Sequence, residues 1–238
     1  LESKLVDGVL HVKPSGGEGA LFEYDVSRSI AELRMGAKSR YYPVEISSVI
    51  TFVRENPGRY VFVGVPCFVK AVRLLALNDP IIAERIVYAV SLVCGHLKSD
   101  RFAKTMAWEM GIPPDCLQEF DFRVKHEDHR ASDYGVEATG LVDGEIVSRQ
   151  AMTKDLLGAD WGKGLFKLSA CDYCDDVIGE TASVSIGDAW LPTYVEDPQG
   201  TNVVTVRHPE ILALIERHYA ELELDEISIE DVIQSQAG

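Results

Sequence analysis

The stretch that decides the fold runs from Tyr60 to His96. It reads Y-V-F-V-G-V-P-C-F-V-K-A-V-R-L-L-A-L from residue 60 and, after N-D-P-I-I-A-E-R, I-V-Y-A-V-S-L-V-C-G-H from residue 86. The runs Tyr60 to Val65 and Ile86 to Val93 are continuously apolar, the pattern of strands buried on both faces. Between them, Phe68 to Leu77 places Val69, Val72 and Leu75 on one stripe, the spacing of an amphipathic helix, and Asn78-Asp79-Pro80 closes it. A strand, a helix and a strand in this order imply a parallel sheet, and the carboxyl ends of such strands line one crevice where ligands bind. Cys67 lies just past the first strand and Cys94 at the end of the second. Two distant cysteines are thus expected at the same edge of the sheet.

Working outward, Val9 to Val12 reads as a short strand and Pro14 to Gly19 as a turn cluster. Ser29 opens a short helix with Glu32 three residues on, a capping pattern. Lys38, Ser39 and Arg40 sit in a small-residue loop and could hold a phosphate. Val44 to Glu55 has helical spacing, as does Ser99 to Met110. Beyond the break at Gly111 to Pro114, Leu117 to Lys125 alternates like a strand, and Tyr134 to Gln150 reads as a hairpin around Val142-Asp143-Gly144. Ala182 to Ile186 and Asn202 to Arg207 are further strands, followed by a helix from His208 to Leu222 and a short one from Ser228 to Gln234. The fold class is therefore α/β: a parallel sheet with flanking helices plus a smaller antiparallel β region. An α/β part is expected over residues 1–114 and an α+β part over 115–238, with the start of the first part missing.

Between residues 169 and 176, S-A-C-D-Y-C-D-D holds a C-x-x-C pair, Cys171 and Cys174. A tight turn aims two such thiolates the same way, a geometry shared by zinc sites, redox dithiols and iron–sulfur ligands. Structural zinc ordinarily takes two such knuckles, so single cysteines at strand ends fit it poorly. A 4Fe–4S cube is larger, takes four thiolates and accepts them from separated loops. Cys116 follows a P-P-D break and is expected to be a spectator. His126 and His129, in a charged loop, are read as solvated rather than as metal ligands.

With Lys plus Arg at 23 and Asp plus Glu at 38, the net charge of -15 repels nucleic acid and anionic membranes. No apolar run approaches the roughly 20 residues needed to span a bilayer, and no signal peptide is visible at the start. An odd count of five cysteines, unlike a secreted disulfide framework, points to a reducing cytoplasm.

Several of these motifs together resemble the coenzyme F420-reducing hydrogenase and formate dehydrogenase beta-subunit family. The stretch G-V-P-C-F-V-K-A-V-R is similar to its G-T-P-C-Q-x-x-A-L-R, and L-V-C-G-H to its second cysteine motif. F-x-F-R-x-K at Phe120 to Lys125, C-x-x-C-D, S-I-G-D-A-W and S-R-Y-Y-P at Ser39 to Pro43 follow in kind. The resemblance implies an iron–sulfur flavoprotein oxidoreductase that binds FAD and a 4Fe–4S cluster. It exchanges hydride with a small carrier such as coenzyme F420 and passes electrons to a redox partner protein or subunit. It carries the cluster ligands to Cys67, Cys94, Cys171 and Cys174. It carries flavin contacts to Ser39, Arg40, Tyr41, Gly64, Pro66, Arg123 and Lys125, and a catalytic candidate to Asp188. Val65 and Phe68 replace the family's Thr and Gln, which removes two polar groups beside the first cysteine. In the family a glycine-rich loop precedes the stretch resembling Leu5-Val-Asp-Gly-Val, and here that loop would lie upstream of Leu1. The chain as given is therefore expected to carry little or no FAD, and a longer native chain to carry it, since helix N-termini after glycines supply the phosphate-binding N–H groups. The alternatives are a non-catalytic electron-transfer module that keeps only the cluster, and a structural zinc protein.

Overall fold

A computed structural model describes residues 1–16, 19–158 and 160–236. Gly17 and Glu18, within the expected turn cluster, lie outside the described residues. The chain forms one six-stranded sheet and one three-stranded sheet. In the larger, strands β1 (Gly8–Pro14), β3 (Tyr60–Gly64), β4 (Ile86–Leu92) and β8 (Val184–Asp188) run parallel to one another. The outer strands β2 (Phe22–Ser27) and β9 (Asn202–Val206) pair antiparallel at the two edges, giving the order β2-β1-β3-β4-β8-β9. The large sheet draws strands from both sides of residue 114.

Helices α2 (Ser47–Glu55), α3 (Pro66–Ala76) and α4 (Pro80–Arg85) pack through Val49, Ile50 and Val53, through Val69 and Val72, and through Ile82. They bury these residues against Leu10, Phe62 and Ala89 of the sheet in one core. Each such aliphatic or aromatic side chain removed from water stabilises the fold by roughly 1.5–3 kcal/mol. A second core joins α5 (Arg101–Glu109) to β5 (Leu117–Val124) and β6 (Gly135–Val142) through Phe102, Met106, Phe120, Phe122 and Val136. The smaller sheet is completed by β7 (Glu145–Met152), in the order β5-β6-β7. The hairpin from β6 to β7 turns on Asp143 and Gly144, with φ of 51° and 88°. Two central residues of positive φ give the strand-matched twist of a type I′ turn.

Several boundaries differ from the sequence reading. Helix α2 starts at Ser47, not Val44, and α3 starts at Pro66, which suits an N–H-free first turn. Asn78-Asp79-Pro80 ends one helix and begins another: the Asp79 side chain accepts from the N–H groups of Ile81 and Ile82 and caps α4. Helix α1 (Ile30–Gly36) is capped by Ser29, which accepts from the Glu32 N–H. Its Glu32 carboxylate reaches back to the Arg28 N–H at 2.7 Å. Strand β8 begins later than expected and includes Gly187 and Asp188. Helix α6 (Pro209–Arg217) ends before a 3-10 turn at Tyr219–Glu221, and α7 (Ile229–Gln236) closes the described chain. Strand β2 was not visible in the sequence. Among the described residues no helix is long and apolar enough to cross a membrane.

Candidate functional site

The carboxyl ends of the parallel strands carry two adjoining features, a group of thiols and a cleft. Cys67 enters on the first turn of α3 and Cys94 two residues past β4. Cys171 lies in a 3-10 turn, Ser169–Tyr173, and Cys174 directly follows it. Cys67 and Cys174 are exposed; Cys94 and Cys171 are partly buried. Burial pushes the Cys94 thiol up to about 12, and the charges of Cys67, Cys171 and Cys174 push in the same direction. The Cys67 thiol is also raised, by partial desolvation first and then by Cys174 and Cys171. Three separate segments thus place Cys171 and Cys174 close enough to raise the thiols of Cys67 and Cys94. Cys116 ends the 3-10 turn Pro114–Cys116 before β5.

The loops are tied to each other. The Leu97 N–H donates to Cys171 Sγ at 3.3 Å, and the Cys94 N–H donates to the Val177 carbonyl at 3.0 Å. Lys70 on α3 donates to Asp175 at 3.1 Å, and Arg73 to the Thr181 carbonyl and the Ser183 hydroxyl. Among the described residues no three His, Cys, Asp or Glu side chains stand at the spacing of a single metal ion. His129 is turned to Asp128. Four thiolates are the donor chemistry of a four-iron cube, which takes one at each corner.

The cleft has a volume of about 1020 Å³, at the upper end of the roughly 300–1,000 Å³ typical of ligand pockets. Ser39, Arg40, Gly64, Arg123, Lys125 and Asp188 all line it. Pro66 is buried as the first residue of α3, and Tyr41 stands behind Arg123, whose Nη2 donates to its hydroxyl at 3.3 Å. One wall is apolar, made by Val63, Val65, Phe68, Leu92 and Leu97. Val65 and Phe68, the two departures from the family motif, are therefore part of that wall.

The cations of the cleft differ in how far they are satisfied. Lys38 is paired with Asp121 at 2.7 Å. Lys125 donates to the Gln199 carbonyl. Arg123 grips the Asp188 carboxylate through Nη1 and Nη2 at 3.1 Å and lies over the Tyr134 ring. Burial works against the Arg123 charge, but the Tyr41 and Asp188 charges outweigh it and hold the pKa above its ordinary value. Among the described residues Arg40 forms no salt bridge, though the Asp121 charge favours its cation. Its Nη1 donates to the Ser39 carbonyl, its guanidinium lies 4.9 Å from the Phe22 ring centre, and burial lowers its pKa. The Nε atoms of Arg40 and Arg123 are both buried without a hydrogen-bond partner. Buried donors left unmet are costly, and these two nitrogens are closed off from solvent although their residues line the cleft. The cationic side chains of Arg40, Arg123 and Lys125 along the lining are the chemistry that suits an anionic ligand.

Residues 1–51 match the N-terminal model, and residues 58–231 the C-terminal model, of the family described as coenzyme F420 hydrogenase/dehydrogenase, beta subunit. The chain belongs to the coenzyme F420 hydrogenase/dehydrogenase beta-subunit family. Members are subunits of oxidoreductases, so the resemblance read from the motifs holds over almost the whole chain. A chain of the F420-reducing [NiFe] hydrogenase complex from Methanosarcina barkeri, studied by xenon derivatization, has the same fold. The TM-score is 0.65, with 99% of this chain and 76% of that chain covered at 16% identity. No curated protein matches.

In this family member several site residues escaped the sequence reading. His11 and Tyr24 line the cleft. Tyr24 donates to the Val63 carbonyl at 3.0 Å, and a side chain at Gly64 would meet its hydroxyl. His96 stacks on Trp161 at 4.7 Å with a buried, unpartnered Nε2, and burial, with Lys98 and Lys167, lowers its pKa to about 4. The fully buried Lys98 donates to the Leu165 carbonyl and lies 4.2 Å from the Trp161 ring centre. Ala189, Trp190 and Tyr194 also line the cleft. Alternation in F-E-Y-D-V-S could have flagged Tyr24, and His96, Ala189 and Trp190 stand inside the L-V-C-G-H and S-I-G-D-A-W motifs without having been singled out; nothing local flags His11, Lys98 or Tyr194.

Proposed function

We propose that this chain is the flavin- and cluster-bearing subunit of an oxidoreductase complex, moving electrons between a small hydride carrier and a protein partner. The observation that carries the reading is the adjacency of two features at one sheet edge: two strand-end cysteines whose loops are hydrogen-bonded to the C-x-x-C segment, and a large cleft lined by two arginines. When bound, FAD would exchange two electrons with the hydride carrier and single electrons with a 4Fe–4S cluster held by Cys67, Cys94, Cys171 and Cys174.

The chain's own residues take defined parts in this reading. Arg40 meets the anionic end of the ligand, with Ser39 beside it. The wall of Val65, Phe68, Leu92 and Leu97 excludes water from the side nearest the thiols. Asp188 holds Arg123 in the cleft, so its carboxylate acts on the ligand through that guanidinium. The Leu97 N–H, donated to Cys171 Sγ, stabilises the thiolate form of that sulfur. The family's description supports coenzyme F420 as the hydride carrier, and the hydrogenase complex of like fold supports a partner subunit.

The test is the iron, acid-labile sulfide and flavin content of protein purified without oxygen. Iron and sulfide are expected in equal amounts, with FAD taken up on titration rather than retained in full. Cys67→Ser and Cys171→Ser should lose iron and sulfide together, while Cys116→Ser keeps both. A colourless protein holding one zinc, or full iron in either ligand mutant, overturns the reading.

A further inference from the structure

The acidic loop after the C-x-x-C pair contains a carboxylate that neither charge pairing nor solvent exposure explains. Asp176 is only 5% exposed. Its neighbour Asp175 takes Lys70, whereas Asp176 is filled by backbone donors. The Gly179 N–H donates to Oδ1 at 2.7 Å, and the Glu180 N–H reaches both oxygens at 3.1–3.2 Å. Burying a carboxylate is costly unless hydrogen bonds compensate it, so an Asp here is retained for what those bonds do.

They fold residues 176–180 back on themselves, and the fold-back connects two cysteines. The Asp176 carbonyl accepts from Cys174 Sγ at 3.5 Å. The next carbonyl, that of Val177, accepts from the Cys94 N–H. Gly179, at φ 70°, sits so close to Ser91 and Ser185 that a side chain there would strike both, and its carbonyl accepts from the Ser185 hydroxyl at 3.2 Å. One side chain therefore closes a turn that touches the second strand-end cysteine on one side and the C-x-x-C pair on the other.

We infer that Asp176 is a positioning residue that holds Cys94 and Cys174 in register for a shared ligand. The inference rests on the four-thiol reading for its consequence, though not for its geometry. Two measurements separate them. In cluster-free protein, amide hydrogen exchange reads the turn directly. Asp176→Ala should speed exchange at Gly179 and Glu180 by about tenfold or more, as expected on removing charge-assisted bonds. It should also speed the Cys94 amide, which Asp176 does not touch. Asp176→Asn keeps an acceptor oxygen in place and should restore slow exchange at Cys94. After anaerobic reconstitution, the Ala variant should hold less than half of the wild-type iron and the Asn variant most of it. If the Cys94 amide exchanges as in wild type in the Ala variant, the inference is overturned, whatever the iron content. If wild-type protein holds no iron, the four-thiol reading fails while the exchange result still decides the role of Asp176.

Discussion

Replacing Arg40 with Met is expected to weaken binding of an anionic ligand without destabilising the ligand-free protein. In the free protein the guanidinium has two favourable contacts, one hydrogen bond to the Ser39 carbonyl and one ring contact with Phe22. These are worth about 1 kcal/mol and ~0.5–2 kcal/mol. Against them stands a buried Nε with no partner, which costs ~1–3 kcal/mol. The terms cancel to within about 1 kcal/mol, and no ion pair is lost. In the complex the balance changes, because one charge-assisted bond contributes ~1.5–3 kcal/mol, or roughly 10- to 150-fold in Kd. Flavin fluorescence quenching with FAD gives the Kd, and urea unfolding of ligand-free protein gives the stability. Arg123→Met serves as the contrast. It leaves the Asp188 carboxylate, 35% exposed, without its guanidinium, and should cost about 2–3 kcal/mol of stability. An Arg40→Met protein that binds FAD as tightly as wild type, or that loses as much stability as Arg123→Met, refutes the reasoning.

Two further outcomes follow from the geometry. Gly179→Ala must place a side chain at φ 70° against Ser91, so it should lose about 2–5 kcal/mol from backbone strain and overpacking, read by urea unfolding; a loss under about 1 kcal/mol would contradict the packing. His11, buried against Ser27 at 2.7 Å, has its pKa lowered from 6.5 by burial first and by Lys13 second. The unfolded chain therefore takes the proton before the folded one, and stability is lost as pH falls from about 6.5 towards the folded pKa. His11→Gln should flatten that part of the slope between roughly pH 7.5 and 5.5, and equal slopes would rule out the cause.

The central β3–α3–β4 unit was legible because its signals are local. Apolar runs of strand length, a 3.6-residue stripe and a stop at Asn78-Asp79-Pro80 each sit within about a dozen residues. The cysteines were legible for the same reason, since strand ends can be counted from the strands. What the sequence hid depends on contacts across long separations. Asp188 was singled out as a catalytic candidate only through the family resemblance, and nothing local shows that it ends β8 and meets Arg123 across 65 positions. Asp176 was one acid among several, and only its burial separates it from Asp172 and Asp175. Strand β2 alternates, but Glu23 and Asp25 on its open face mask a buried Phe22 and Tyr24. Helix α4 was lost because six residues carry too little periodicity to register.

The two halves of the candidate site are not independent modules laid side by side. Val65 and Phe68 flank Pro66-Cys67 in the chain, and Leu92 precedes Cys94 by two residues. Leu97, on the same wall, gives its N–H to Cys171. The residues that form the apolar wall of the cleft therefore belong to the loops that carry the sulfurs. A shift of any of these loops moves a wall residue and a thiol together, because interiors packed at crystal-like density transmit displacement rather than absorb it. Tyr24 reinforces this coupling. It lines the cleft, fixes the Val63 carbonyl at the end of β3, and feels the charge of Cys67. The parallel sheet supplies this arrangement at no extra cost in chain length, since each strand delivers its following loop to the same edge. A site that must keep a ring system and a cluster at a fixed separation gains from building both on shared loops.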